Sequence, residues 1–150
     1  MIELAQCAMD KDLYFRMAQD YVDTLSKYDN AIRWDEPSWA QGMWSSQFLM
    51  EDRTAQGFAM TQRVHFNLFP DALYIAEFYV VPEARRKHLG TDAVRALTRD
   101  WSGDVFLYIL DKNTPARIFW TDVEAELEWR QIQRPEIHQE PGCELRVYKT

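Results

Sequence analysis

The amino-acid sequence predicts a mixed α/β (α+β) fold, a sheet flanked by helices rather than a doubly wound parallel sheet. Three observations carry that prediction. Strand-like and helix-like patterns alternate in the order β, α, short α, β, β, β, α, β, α, β, β. Residues 73–81 (LYIAEFYVV) are almost continuously apolar, as in a central strand covered on both faces. Two neighbouring strand-like runs flank a short polar turn, which reads as a hairpin.

The first element, residues 2–7, suits a strand. Asp10 is placed to cap a helix over 11–27, where Tyr14, Met17, Ala18, Tyr21, Val22 and Leu25 form one apolar face. Residues 28–37 read as a loop and 38–44 as a short helix containing Gly42. The hairpin comprises 47–50 and 57–64, with the turn at 51–54. Pro82 ends the central strand. Residues 90–101 then read as a helix with Ala93, Val94, Leu97 and Trp101 inside, and 104–110 (DVFLYIL) as a second buried strand. Pro115, a good first helical residue, opens a helix to about residue 125. Two strands close the chain, near 127–133 and 143–148, with Pro141 and Gly142 between them.

A length of 150 residues suits one domain over 1–150, and no repeat or linker divides it. No apolar run approaches the roughly 20 residues of a membrane helix, so no membrane partner is expected. The start of the chain lacks the pattern of a signal peptide, and two cysteines, Cys7 and Cys143, make no disulfide framework. Both features point to the cytoplasm. The net charge of −7 disfavours a nucleic-acid partner. Residues 1–75 carry 11 acids against 6 bases and residues 76–150 carry 13 against 11, so the acidity is concentrated in the first half. Against it stand three consecutive cations, Arg85, Arg86 and Lys87.

Those cations lie where a strand runs into a helix. The first amides of a helix have no internal partner, and the helix dipole adds positive charge there. A pyrophosphate is stabilised by both effects, and Gly90 allows close backbone approach. Two readings stay open on this physics: an anion site, and a solvated basic loop with a glycine at a helix start.

The segment resembles the signature of the GNAT superfamily of N-acetyltransferases. Phe78, Val80 and Pro82 match its strand end, Arg85, Leu89 and Gly90 its loop, and Thr91 opens the helix. A second family feature is matched downstream by Asn113, Ala116, Phe119 and Trp120. The resemblance implies a mostly antiparallel sheet with a splayed central strand pair and acetyl-CoA as co-substrate. It places the pantetheine arm on the backbone of Tyr79, Val80 and Val81. The amides from Arg86 through Lys87, His88, Leu89 and Gly90 to Thr91 would cradle the pyrophosphate, with the charge of Arg85 at the same place. Asn113 and Phe119 would line the far side, and a strand amide such as that of Val80 would stabilise the oxyanion. The family's paired C-terminal strands leave a homodimer open.

Two positions depart from the pattern. His88 replaces the first loop glycine, and Trp120 stands where many relatives have a tyrosine that protonates the leaving thiolate. Tryptophan cannot do that, so Tyr108, Tyr79 or solvent would serve, or the protein is a non-catalytic acyl-CoA-binding sensor. For the base, Glu77 is the only charged residue in the central strand, three residues before Val80, and a buried carboxylate is costly unless paired or functional. A salt bridge across the sheet is the alternative role. Asp20, Asp23, Asp29, Asp35 and Glu36, interleaved with Tyr21, Tyr28, Trp34 and Trp39, suit a cationic small-molecule or peptide amine. They suit equally a solvated helix face over an aromatic core. His65 and His138 have no partner at ligand spacing, and no metal site is expected.

Overall fold

A computed structural model describes residues 1–85 and 88–150. In chain order the elements are β1 (Glu3–Gln6), α1 (Lys11–Leu25), α2 (Glu36–Gly42), β2 (Ser46–Glu51), β3 (Thr54–Val64), β4 (Ala72–Val80), α3 (Leu89–Thr98), β5 (Asp104–Leu110), α4 (Thr114–Glu126), β6 (Arg130–Ile132) and β7 (Cys143–Lys149). The order is the one the sequence predicts, and the differences lie at the ends. The first strand stops at Gln6 because Cys7–Met9 coils into a 3-10 turn. The short helix starts at Glu36 rather than 38, since Pro37 is favoured in a first turn. The helix expected to reach Trp101 ends at Thr98. Trp101 instead donates its indole N–H to the Asp104 carbonyl at 2.9 Å.

Local chemistry accounts for several of these boundaries. The Asp10 carboxylate accepts the Leu13 N–H at 3.2 Å and caps α1. The β2–β3 turn places Asp52 and Arg53 at φ 48 and 65, the left-handed pair that a two-residue hairpin requires. The Asn113 side chain accepts the Ala116 N–H at 3.1 Å, so the Asn-x-x-Ala spacing is the helix cap of α4.

The strands form one sheet in the order β1-β2-β3-β4-β5-β7-β6. Every adjacent pair is antiparallel except β4 and β5. Those two are parallel and pair only at Ala72↔Asp104, Leu73↔Val105 and Tyr74↔Phe106. Beyond Tyr74, β4 stays paired with β3 as far as Gly57↔Val80, so its other edge is open over the second half of the strand. The splayed central pair is therefore present.

A register shift in β3–β4 adds a residue to β4, since Met60 pairs with Glu77 and Thr61 with Ile75. The shift changes which face each side chain meets. Leu73, Ile75, Phe78 and Val80 pack with α3 and α4, among Val94, Val105, Leu107, Trp120, Leu89 and Ala93. Tyr79 packs with α1, among Tyr14, Met17, Ala18, Phe48 and Phe58. A further cluster, Ala72, Phe106, Ile137 and Val147, closes the sheet beneath the segment that joins β6 to β7.

Candidate functional site

The open edge of β4 is the centre of the site. Val81 donates its N–H to the Gln56 carbonyl at 2.8 Å, toward β3. Successive strand residues direct their polar groups to opposite sides, so Val80 turns its N–H and C=O to the open edge. Its carbonyl accepts the Arg85 Nε–H at 2.7 Å. Opposite lies Gly57, where a Cβ would sit 1.9 Å from the Tyr79 carbonyl oxygen. Only glycine allows β3 to approach this part of β4 so closely.

At the end of the edge the chain turns through Pro82–Ala84 and enters α3. His88 precedes the helix at φ 59, in the left-handed region, and gives no side-chain cap. A glycine takes that conformation without penalty, which explains why a glycine suits this position. With no side-chain cap, the first amides of α3 are available to an anion. Gly90 has a second reason to be glycine: a Cβ there would lie 2.5 Å from the Phe119 ring. Phe119 stacks on Phe78 with centroids 5.4 Å apart, tying α4 to the open edge. A cavity of about 420 Å³ lies here, lined by His88, Gly90, Thr91, Phe119, Asp122 and Glu126. Leu89 and Thr91 are buried and anchor the helix start. Asp122 and Glu126 place two carboxylates in a cavity otherwise suited to an anion, and Glu126 lies 3.5 Å from His88 Nδ1. Arg86 and Lys87 lie outside the described residues.

On the other face, Glu77 and Tyr79 share one side of β4. Glu77 is half-buried, and desolvation raises its carboxyl to about 7, with the Tyr21 side chain pulling the other way. A carboxylate with that pKa is poised to exchange a proton near neutral pH. Phenols surround it. Burial pushes Tyr14 and Tyr74 up to about 12, and Tyr21 rises well above its usual range, with the Glu77 charge contributing to each. All three stay protonated beside the carboxylate.

The aromatics form a connected network from α1 to β4. Tyr21 meets Tyr79 at 5.8 Å and Phe58 at 5.7 Å, and Trp34 stacks on Trp39 at 6.1 Å. Tyr14 is fully buried, its hydroxyl donating to the Trp39 carbonyl at 2.8 Å, whereas Tyr21, Trp34 and Trp39 are half-buried. Among the acids, Asp20, Asp23, Asp35 and Glu36 are exposed. Asp29 accepts the Ala31 N–H and Asp35 the Ser38 hydroxyl, which ties both to local loop structure. The charge of Asp20 reaches the Tyr79 phenol, as does that of Glu83 beyond the end of β4.

The candidate proton donors lie apart from Trp120. Trp120 is buried on the α3/α4 face, its ring 5.5 Å from Phe78. Tyr108 projects from the opposite face of β5, two residues past the last β4–β5 pair, and donates its hydroxyl to the His138 carbonyl. Tyr79 is buried beneath the Arg85 guanidinium, 5.6 Å from its ring. Among the described residues no cluster of His, Cys, Asp or Glu has the arrangement of a metal site, and no helix is long and apolar enough to cross a membrane. Cys7 and Cys143 are both free thiols.

Sequence reasoning missed Gly57, Phe58, Asp122 and Glu126. Gly57 opens the strand read at 57–64, and it lies inside β3 only because the observed strand begins at Thr54. The two acids carry no readable signal, because only the packing of α4 beside α3 brings them to the cavity.

A family model described as the Acetyltransferase (GNAT) family matches residues 9–123. Among solved structures, the PaiA N-acetyltransferase from Thermoplasma acidophilum, in complex with coenzyme A, aligns at TM-score 0.63 and 14% identity. That alignment covers 100% of this chain and 99% of that one. Diaminobutyrate acetyltransferase from Paenibacillus lautus, with L-2,4-diaminobutyric acid and coenzyme A, aligns at 0.66 and 10%, covering 99% and 93%. Naa50 from Arabidopsis thaliana, with a bisubstrate analogue, aligns at 0.57 and 15%, covering 98% and 96%. At these identities the likeness is one of fold. No curated protein sequence matches the chain.

Proposed function

The chain belongs to the acetyltransferase (GNAT) family, and from that premise we propose that residues 1–150 form one N-acetyltransferase domain that moves an acetyl group from acetyl-CoA to a primary amine. The observation that carries this reading is the open second half of β4. It offers an unpaired strand edge that leads to an uncapped helix start, with Glu77 on its other face. The pantetheine arm is a chain of amides and suits such an edge. The diphosphate suits the α3 amides at Gly90 and Thr91, with Phe119 beside them and Asn113 fixing the start of α4.

In the proposed reaction, Glu77 accepts the proton of the incoming amine, directly or through water, at a pKa that matches the task. The amine attacks the thioester carbonyl, and the Val80 N–H donates to the developing oxyanion. The thiolate leaves as the C–S bond breaks and takes a proton from solvent or from Tyr108. The acceptor enters beside Tyr21, Trp34, Trp39 and Tyr79. Aromatic faces with Asp20 at the rim favour a cationic small molecule or peptide terminus.

Two observations support a second reading, a non-catalytic acyl-CoA-binding protein. Trp120 fills core space and the Tyr108 hydroxyl already has a partner. Thermal shift with acetyl-CoA, followed by thiol release across a panel of amines, separates the readings. Stabilisation with turnover supports the transferase, stabilisation without turnover the sensor, and no stabilisation overturns both.

A further inference from the structure

We propose that Arg85 is a positioning residue that holds the open end of β4 in shape for the acyl-pantetheine arm, and is not a phosphate ligand. The proposal rests on the coenzyme reading above and differs from what the basic run alone suggests.

Two contacts fix the guanidinium. Its Nε–H donates to the Val80 carbonyl at 2.7 Å, five residues back along the chain. Its Cζ lies over the Tyr79 ring, 5.6 Å from the centroid. Tyr79 packs with α1, whereas Gly90, Thr91 and Phe119 line the cavity on the face that packs with α4. Arg85 is an exposed residue, and these two contacts draw its guanidinium to the opposite side of the strand from the helix start that would receive the diphosphate.

The bond to Val80 has a consequence at the edge. Val80 turns both polar groups outward, because Val81 bonds to Gln56 on the inner side. With one lone pair of its carbonyl taken by Arg85, Val80 presents its N–H to the gap as the group that has no partner yet. That is the group assigned above to the thioester oxygen. The side chain thereby selects which half of the peptide the substrate meets and fixes its direction. Lysine cannot reproduce this, since it lacks both the Nε–H on a planar fork and the flat face that covers Tyr79.

The test uses the whole chain and its Arg85→Lys and Arg85→Ala variants. Calorimetry measures binding of acetyl-CoA and of 3′-phosphoadenosine 5′-diphosphate, the nucleotide half with its whole diphosphate but without pantetheine. The expected result is a loss of about tenfold or more in acetyl-CoA affinity in both variants, with nucleotide affinity unchanged. Retained nucleotide binding also shows that each variant is folded. The proposal is overturned if Arg85→Ala weakens the nucleotide half while Arg85→Lys restores it, which is the behaviour of a phosphate ligand. It is also overturned if Arg85→Lys binds acetyl-CoA as the unmutated chain does. Failure of the coenzyme reading is distinct: the unmutated chain itself would bind neither compound.

Discussion

The α3/α4 face of the sheet is covered by aliphatic side chains and by Phe119 and Trp120 packed on Phe78. The α1/α2 face is covered by a connected set of aromatic rings beside one carboxylate, Glu77, raised to about 7. The first face works through backbone: uncapped helix amides and an unpaired strand edge. Backbone groups are the same for every residue type, so that face is constrained mainly where a side chain would intrude, at Gly57, His88 and Gly90. The second face works through side chains, and its chemistry depends on which residues happen to meet. Substitutions on the two faces should therefore fail differently.

The largest effect is expected on the side-chain face. Glu77→Gln should lower kcat by about 10²- to 10⁴-fold, the range for a lost general base, and leave acetyl-CoA binding intact. Rate measurements against pH supply the check. Under the transferase reading, the unmutated chain should gain activity as pH rises through about 7, and the variant should lose that dependence. The same substitution separates activity from stability. Glu77 titrates at about 7 in the fold against an ordinary 4.5, so the folded state holds this proton more tightly. The stability it contributes is complete below pH 4.5 and is lost as pH rises through 7. Glutamine stays neutral, so by chemical denaturation Glu77→Gln should exceed the unmutated chain at pH 8 by up to about 3 kcal/mol. Equal stability of the two proteins at pH 8 would sink the assignment of a desolvated carboxyl.

Gly57→Ala tests the backbone face next. The new Cβ must push β3 from β4 beside Val80, at a cost of about 1–3 kcal/mol. Acetyl-CoA affinity should fall with it, read by calorimetry; an unchanged affinity would separate this strand edge from the coenzyme. Asn113→Ala removes the cap of α4 and should cost about 1 kcal/mol in denaturant unfolding. His88→Gly acts in the opposite direction, since glycine accepts φ 59 freely, and a gain of about 1 kcal/mol is expected from the midpoint of unfolding. A loss there would mean that the His88–Glu126 contact outweighs the backbone strain.

The motif-bearing half was legible because its determinants are local. Pro82 ends a strand, Asn113 caps a helix three residues before Ala116, and a glycine or its His88 substitute marks a left-handed turn. The motif located these residues, and the tertiary structure adds local contacts that the motif does not show. Arg85 reads as part of a phosphate-binding run, yet its side chain clasps Val80 and covers Tyr79. Asn113 reads as a residue lining the coenzyme, and its side chain caps α4. The acids of the first half read as an acceptor-recognising group, but Asp29 and Asp35 serve loop geometry.

The element order, the central strand at residues 73–81, the placement of Glu77 on it and the strand-to-helix junction at Pro82–Thr91 are all readable from the residues alone. These follow from period, caps and breakers, which act over a few residues. Three features emerge in the folded chain: β4 and β5 part after Tyr74, an added residue in β4 turns Glu77 and Tyr79 toward α1, and Asp122 and Glu126 reach the α3 cavity. Each depends on strand pairing or helix packing between segments far apart in the chain. No local pattern of side chains carries that information.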